Sequence, residues 1–348
     1  MKVGILICAV AALLVGCTGA DPTTEVSVSF AWSYHAGDYV RGKPTVGDTT
    51  VYVGADDNAL HAVDADTGES LWRYETADNV TSSPILFGDA ICFGSWDGAV
   101  YALDARQGGL RWRYATDGWV TASPVISDTT LYVGSHDGFF YALAADNGDL
   151  VWRYETGGQI EGGAALIGGL AFVGSTDNYL YALDIASGEL QWRYRTEGDI
   201  LSTPVIAAGT VYVGSVDRRF YALDTATGQL RWTFEAEYAI ESSPVVADGV
   251  IVVGANDGRL YALRARDGHL LWQHQAEDVI RSSPAVSGDL VFAGSDDGYL
   301  YALDRETGAL VWKYRTAGAI VAGPTVADGR LYVGATDRRL HAFSLEAE

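Results

Sequence analysis

The chain has 348 residues, 48% of them hydrophobic, with 41 glycines, 20 tyrosines and a formal net charge of −22 from 45 acidic against 23 basic side chains. That apolar share is ample for a core, and the richness in glycine and tyrosine favours strands and turns. So acidic a surface excludes nucleic acid and anionic lipid as partners, since both need a basic footprint.

Lysine occurs only at Lys2, Lys43 and Lys313. An acid-rich, lysine-poor surface resembles those of proteins from high-salt environments, where salt screens the repulsion among carboxylates. From the start, residues 1–16 read as a lipoprotein signal peptide: Lys2 is a short positive region, and Val3 to Val15 is nearly all apolar. That run falls short of the ~20 residues a permanent membrane helix needs. It ends Leu14-Val15-Gly16-Cys17, similar to a lipobox, so Cys17 is the expected lipidation site. Residues 17–25 are a polar, proline-containing tether, which places the mature chain outside the cytoplasmic membrane on a lipid anchor. Only Cys92 is left as a thiol beyond this segment. It sits in the strand-like run Ala90-Ile91-Cys92-Phe93 and is expected to be a buried small hydrophobe. A single thiol permits neither an internal disulfide nor a cysteine-built metal site.

Residues 26–348 read as one domain built on a repeat. A glycine recurs at Gly54, Gly94, Gly134, Gly174, Gly214, Gly254, Gly294 and Gly334, and a tryptophan at Trp32, Trp72, Trp112, Trp152, Trp192, Trp232, Trp272 and Trp312, each series with a spacing of 40 residues. A fixed period of this length marks a repeat architecture. In one copy, Ser242–Val246 predicts a short strand A, Val250–Gly254 strand B, Leu260–Leu263 strand C and Leu270–His274 a more polar, outermost strand D. Asn256-Asp257-Gly258 predicts a B–C hairpin turn with positive φ. Four short antiparallel strands cannot bury both faces alone, so neighbouring copies must stack, and radial stacking of such sheets gives a β-propeller. A D-type strand around Phe30–Tyr34 precedes the first A strand, while the last copy stops after strand C. The N-terminal strand therefore completes the last blade: an eight-bladed, all-β propeller with its two chain ends paired and no long free edge. His61 and His341 replace the usual tyrosine in the two blades beside this seam and are expected to be structural.

Ala62, Asp64, Thr67, Gly68 and Trp72 spell A-x-D-x-x-T-G-x-x-x-W, as do Ala222, Asp224, Thr227, Gly228 and Trp232, and Ala302, Asp304, Thr307, Gly308 and Trp312. This resembles the tryptophan-docking motif of PQQ-like (quinoprotein-type) β-propeller repeats. The resemblance implies that the eight recurring tryptophans pack each blade on the next. It also implies two functional branches. One comprises dehydrogenases that hold PQQ and Ca²⁺ above the axis, which are much longer and often carry a vicinal disulfide. The other comprises small lipoprotein propellers resembling BamB, which are non-catalytic docking scaffolds. Invariant spacing leaves no inserted loop to enclose a cofactor, so no PQQ and no Ca²⁺ is expected, and no catalytic residue. The alternatives are a PQQ- and Ca²⁺-dependent dehydrogenase and a propeller that binds a small molecule or saccharide.

A ring of aspartates at Asp57, Asp97, Asp137, Asp177, Asp217, Asp257, Asp297 and Asp337 falls at the B–C turn, where aspartate bonds its own backbone; these are read as structural, with no metal site. Asp64 and its equivalents cap the C–D turn in the same way. Function is sought where the copies disagree. Alternating strand direction puts B–C turns and D–A loops on one face around the axis. The varied positions there place Tyr39, Arg41, Trp96, Trp119, His136, Gln159 and Glu161 over blades one to four as the candidate partner-binding face, with exposed tryptophans beside arginine as in binding hot spots. Copy four also departs, with Gly162-Gly163-Ala164 expected to loosen its inner strand. The expected function is a membrane-anchored scaffold for a protein or peptide in a cell-envelope complex, monomeric on its own.

Overall fold

The structure, a computed structural model, describes residues 26–347; Cys17, the signal peptide and the tether lie outside the described residues. The described residues form strands and no helix, arranged as eight four-stranded antiparallel sheets. Blade 1 shows the plan: strand A is Thr45–Val46, B is Thr50–Ala55, C is Ala59–Asp64 and D is Ser70–Glu75. Strands B and C are buried on both faces, whereas D alternates between exposed and half-buried. Their sequences follow suit, with near-continuous apolar runs in B and C and charged residues interleaved in D. The core is a set of slabs between blades. Leu60 and Ala62 of blade 1 pack on Ile91, Phe93 and Leu103 of blade 2, and Phe172 and Leu180 of blade 4 on Val211 and Tyr221 of blade 5.

The B–C turns carry the predicted positive φ. Asn58, Gly98, Gly138, Asn178, Gly258 and Gly298 adopt it, and so do Arg218 and Arg338 at φ 75° and 69°. Strand A is offset from the sequence reading, running Val245–Ala247 in blade 6. Pro244 has no N–H to give a ladder, and Ser242 Oγ instead accepts the N–H of Gly254 at 3.2 Å. The glycines of copy four do not shorten its inner strand: Ala165–Ile167 matches the length of its equivalents. Gly162 is there for space, since a Cβ would come within 2.7 Å of the Leu201 carbonyl oxygen.

Blade 8 takes strands A, B and C from Thr325–Ala327, Arg330–Ala335 and Arg339–Ala347, and its D strand from Val26–His35. The two seam strands pair over nine residue pairs, against five between C and D of blade 3. The longer ladder stands in for the covalent connection that the other blades have.

In every blade a β-bulge falls one residue before the tryptophan of strand D, as at Val151 before Trp152 and Ala31 before Trp32. A bulge turns the next side chain out of the sheet alternation, here toward the following blade. The indole N–H of Trp32 donates to the Ala65 carbonyl at 3.1 Å, that of Trp192 to Thr225 at 3.0 Å and that of Trp272 to Arg305 at 2.8 Å. Trp72, Trp112, Trp152 and Trp232 repeat the contact. Trp312 packs edge-on against Phe343 of blade 8, ring centroids 5.3 Å apart.

Candidate functional site

The ring of aspartates at the B–C turns is held by a latch. Asp177 Oδ1 accepts the N–H of Tyr179 at 3.1 Å, while Oδ2 accepts the hydroxyl of Tyr181 at 2.5 Å and the N–H of Gly157 at 2.6 Å. One carboxylate thus ties its own turn, strand C and the incoming D–A loop together. Asp137, Asp217, Asp257 and Asp297 do the same with Tyr141, Tyr221, Tyr261 and Tyr301. At the seam His61 and His341 take the tyrosine's place, with Nε2 3.0 Å from Asp57 Oδ1 and 2.9 Å from Asp337 Oδ2. Most of these oxygens are spent on the fold, Asp97 Oδ1 being a buried exception; the described residues hold no group of three or more His, Cys, Asp or Glu suited to a metal ion. Burial pushes the Cys92 thiol up to about 12, which leaves it protonated and inert.

In five blades the two columns that vary most are matched to each other. Arg41 Nε binds Asp56 at 2.7 Å, and Arg281 pairs with Asp296 in the same way six blades on. Trp96 Nε1–H donates to Thr81 Oγ1 at 2.7 Å, Thr121 Oγ1 lies 2.8 Å from His136 Nε2, and Asn256 donates to Glu241 at 2.6 Å. Every one of these pairs is separated by 15 residues in sequence. Much of the apparent freedom of this face is therefore pairwise fitting at the lip of the axial channel.

One junction goes beyond that fitting. Between blades 2 and 3 the face opens into a groove of about 610 Å³, lined by Trp96, Trp119, His136 and Gln159 together with Asp97 and Asp117. The rings of Trp96 and Trp119 stack with centroids 4.6 Å apart and planes 14° from parallel, and Trp119 leans on His136 at 5.6 Å. Trp96 is clamped by its bond to Thr81, so the pair forms a rigid shelf whose outer member, Trp119, is 48% exposed. The Trp119 loop is pinned through its carbonyl, which accepts the N–H of His136 at 2.8 Å. Burial lowers the pKa of His136 while Glu161 and Asp137 pull it upward, and the net effect is downward. Gln159 is fixed through its backbone N–H, donated to Thr176 Oγ1 at 2.8 Å.

Tyr39 and Arg41 do not line the groove. The Arg41 guanidinium lies 5.3 Å from the Tyr39 ring centroid and, with Lys43, lines the axial channel instead. Glu161 acts on His136 through its charge but is not part of the groove lining. Lys43 was passed over in the sequence; its signal is a lone cation in a column that otherwise reads Ser83, Ser123, Gly163, Thr203, Ser243, Ser283 and Gly323.

The family profile for outer membrane protein assembly factor BamB matches residues 26–138, 80–164, 141–279 and 265–347. Comparison with curated proteins finds no match. Among solved structures, BamB from Moraxella catarrhalis is 21% identical with a TM-score of 0.80, over 91% of this chain and 100% of that one. A europium-containing methanol dehydrogenase is 15% identical with a TM-score of 0.81, over 91% and 93%. The quinohemoprotein alcohol dehydrogenase from Comamonas testosteroni is 18% identical with a TM-score of 0.76, over 91% and 76%. At such identities the likenesses show the fold, which an assembly factor and dehydrogenases share. The profile matches run from residue 26 to residue 347, and the chain belongs to the PQQ-type β-propeller family of outer membrane protein assembly factor BamB.

Proposed function

We propose that this chain is a non-catalytic, envelope-associated scaffold that captures a basic segment of a partner protein in the Trp96–Trp119 groove. The observation that carries the reading is the exposed, clamped tryptophan shelf. A large apolar face held in place before binding loses little conformational entropy when a partner covers it, and tryptophan is the residue type most enriched in binding hot spots. The charged side chains lining the groove are Asp97 and Asp117, with no lysine or arginine, in a chain of net charge −22. The complementary guest is a lysine or arginine side chain, whose cation can sit over the Trp119 face.

The family's name points to outer-membrane protein assembly as the setting, with a lipid on Cys17 holding the propeller at the membrane. No helix among the described residues is long and apolar enough to cross a membrane. The donor sets also favour a scaffold over an oxidoreductase. A quinone cofactor with several carboxylates needs cations beside a flat aromatic face, and these occur in different cavities here. The aromatic groove is acidic, and the channel that holds Arg41 and Lys43 has no aromatic lining. This separation of cations from aromatic faces supports the scaffold reading over a quinone site.

Peptides selected from a random displayed library on the wild-type chain test the reading. They should be basic and bind W96A and W119A about 10-fold or more weakly, with melting temperatures little changed. Acidic peptides, or binding that ignores both substitutions, would overturn it. A glycan array with the same variants separates the saccharide alternative.

A further inference from the structure

The axial channel carries a second site that the groove does not explain. Strand A of each blade is innermost, so the residue before its proline position faces the axis. In five blades that residue is a hydroxyl: Ser83, Ser123, Thr203, Ser243 and Ser283; in blade 1 it is Lys43. These residues line a cavity of about 410 Å³. Each hydroxyl is oriented by the blade before it. Ser83 Oγ accepts the N–H of Lys43 at 3.2 Å, Ser123 that of Ser83 at 3.1 Å, and Thr203 that of Gly163 at 2.8 Å. Ser243 accepts from Thr203 at 2.9 Å and Ser283 from Ser243 at 3.1 Å.

A hydroxyl that accepts a backbone N–H still has its own proton to donate, and among the described residues none of the five donates it to protein. The channel wall is thus a crown of O–H donors with one ammonium set into it. Gly323 lies beside the lysine stem, where a Cβ would come within 3.0 Å of the Ser283 carbonyl oxygen and touch Lys43 Cδ at 3.5 Å. Lys43 has no carboxylate within 4.0 Å among the described residues, whereas Arg41, the other cation lining the channel, is paired with Asp56. The ammonium keeps contact with solvent, but protein from seven blades surrounds that solvent, and this desolvation lowers its pKa. A cation gains nothing from such a wall. A halide could satisfy the charge, but several donors spread around an axis are met best by a group with several acceptor oxygens.

We propose that the axial channel binds a compact oxyanion, a carboxylate or a phosphate, on the Lys43 ammonium and the ring of hydroxyls. The site is independent of the Trp96–Trp119 groove. The long-range repulsion from the acidic surface is screened beyond about 8 Å at physiological salt, so short-range donors decide the outcome.

The test is calorimetric titration of the full chain with inorganic phosphate and, separately, succinate, at ionic strength held constant with sodium chloride. The wild type should show saturable binding of at least one probe, and which of them binds tells a phosphate site from a carboxylate site. K43S installs the residue that four other blades already carry at this place, so the fold should tolerate it, and affinity should fall about 10- to 100-fold with the loss of the charged donor. K43R should retain most of the binding. Absence of saturable binding of both probes to the wild type, or equal affinity in K43S, overturns the proposal.

Discussion

Replacing Gly68 with alanine probes the docking of one blade on the next through a single methyl group. Gly68 sits at φ +74°, where the backbone alone makes an L-residue cost about 1–2 kcal/mol. About 0.4–1 kcal/mol returns because alanine stiffens the unfolded chain. The methyl would also stand 2.7 Å from Cδ2 and Cε3 of Trp32. That indole is 8% exposed and fixed by its bond to Ala65, so it cannot swing aside freely. Overpacking against such a ring costs about 1–3 kcal/mol. Gly88 is the control: it has φ +58° and open space for 4 Å around the place a methyl would take, so it carries the backbone cost alone. In equilibrium urea unfolding, G68A should therefore lose about 1–3 kcal/mol more than G88A. In a W32A background the excess should vanish, because the obstructing ring is gone. Equal losses for the two glycines, or an excess that persists without Trp32, would refute the docking of Trp32 on Gly68.

Three further outcomes follow from the same contacts. Arg218 and Arg338 hold positive φ where six other B–C turns use glycine or asparagine, so R218G or R338G should gain about 0.5 kcal/mol in urea unfolding once glycine's own entropy cost is counted; a loss would contradict this. Asp224, held by the Arg231 side chain and by the hydroxyl and N–H of Thr227, has its pKa lowered to about 2. A carboxyl depressed on folding contributes stability that is complete above the ordinary carboxylate range and drains away as pH falls toward that value; carboxyl NMR should find the midpoint there in the wild type and nearer about 3.9 in R231A. Cys92, its thiol pushed up to about 12 by burial, should resist iodoacetamide at pH 8 until urea unfolds the protein, as read by peptide mass spectrometry.

The fold was legible because each blade states it again. Positive-φ turns, the capping Asp64 column and the orphan strand at Val26–His35 are local signals, and eight copies turn weak propensities into a count. What escaped was mutual. The Asp177–Tyr181 latch needs a strand to bring two ordinary columns together, and a turn-forming aspartate gives no hint of its second oxygen's partner. The pairing of Arg41 with Asp56 did leave a trace, since Arg281 and Asp296 repeat it at the same separation of 15 residues. Reading each varied column singly hid it. Trp96, Trp119, His136 and Gln159 of that face meet in one groove. Tyr39 and Arg41 share the face but belong to blade 1, away from the groove between blades 2 and 3. Lys43 shows in the sequence only as one of three lysines, and its axial position appears only when the blades are set around a ring.

The 10 tryptophans divide into eight that join blades and two, Trp96 and Trp119, that form the shelf proposed to receive a partner. Fluorine NMR of 5-fluorotryptophan-labelled protein, with those two resonances assigned through W96F and W119F, measures that division directly. On addition of a peptide selected by the wild-type chain, the Trp96 and Trp119 signals should shift while the eight docking signals hold still. Shifts confined to the docking tryptophans, with Trp96 and Trp119 unmoved, would contradict it.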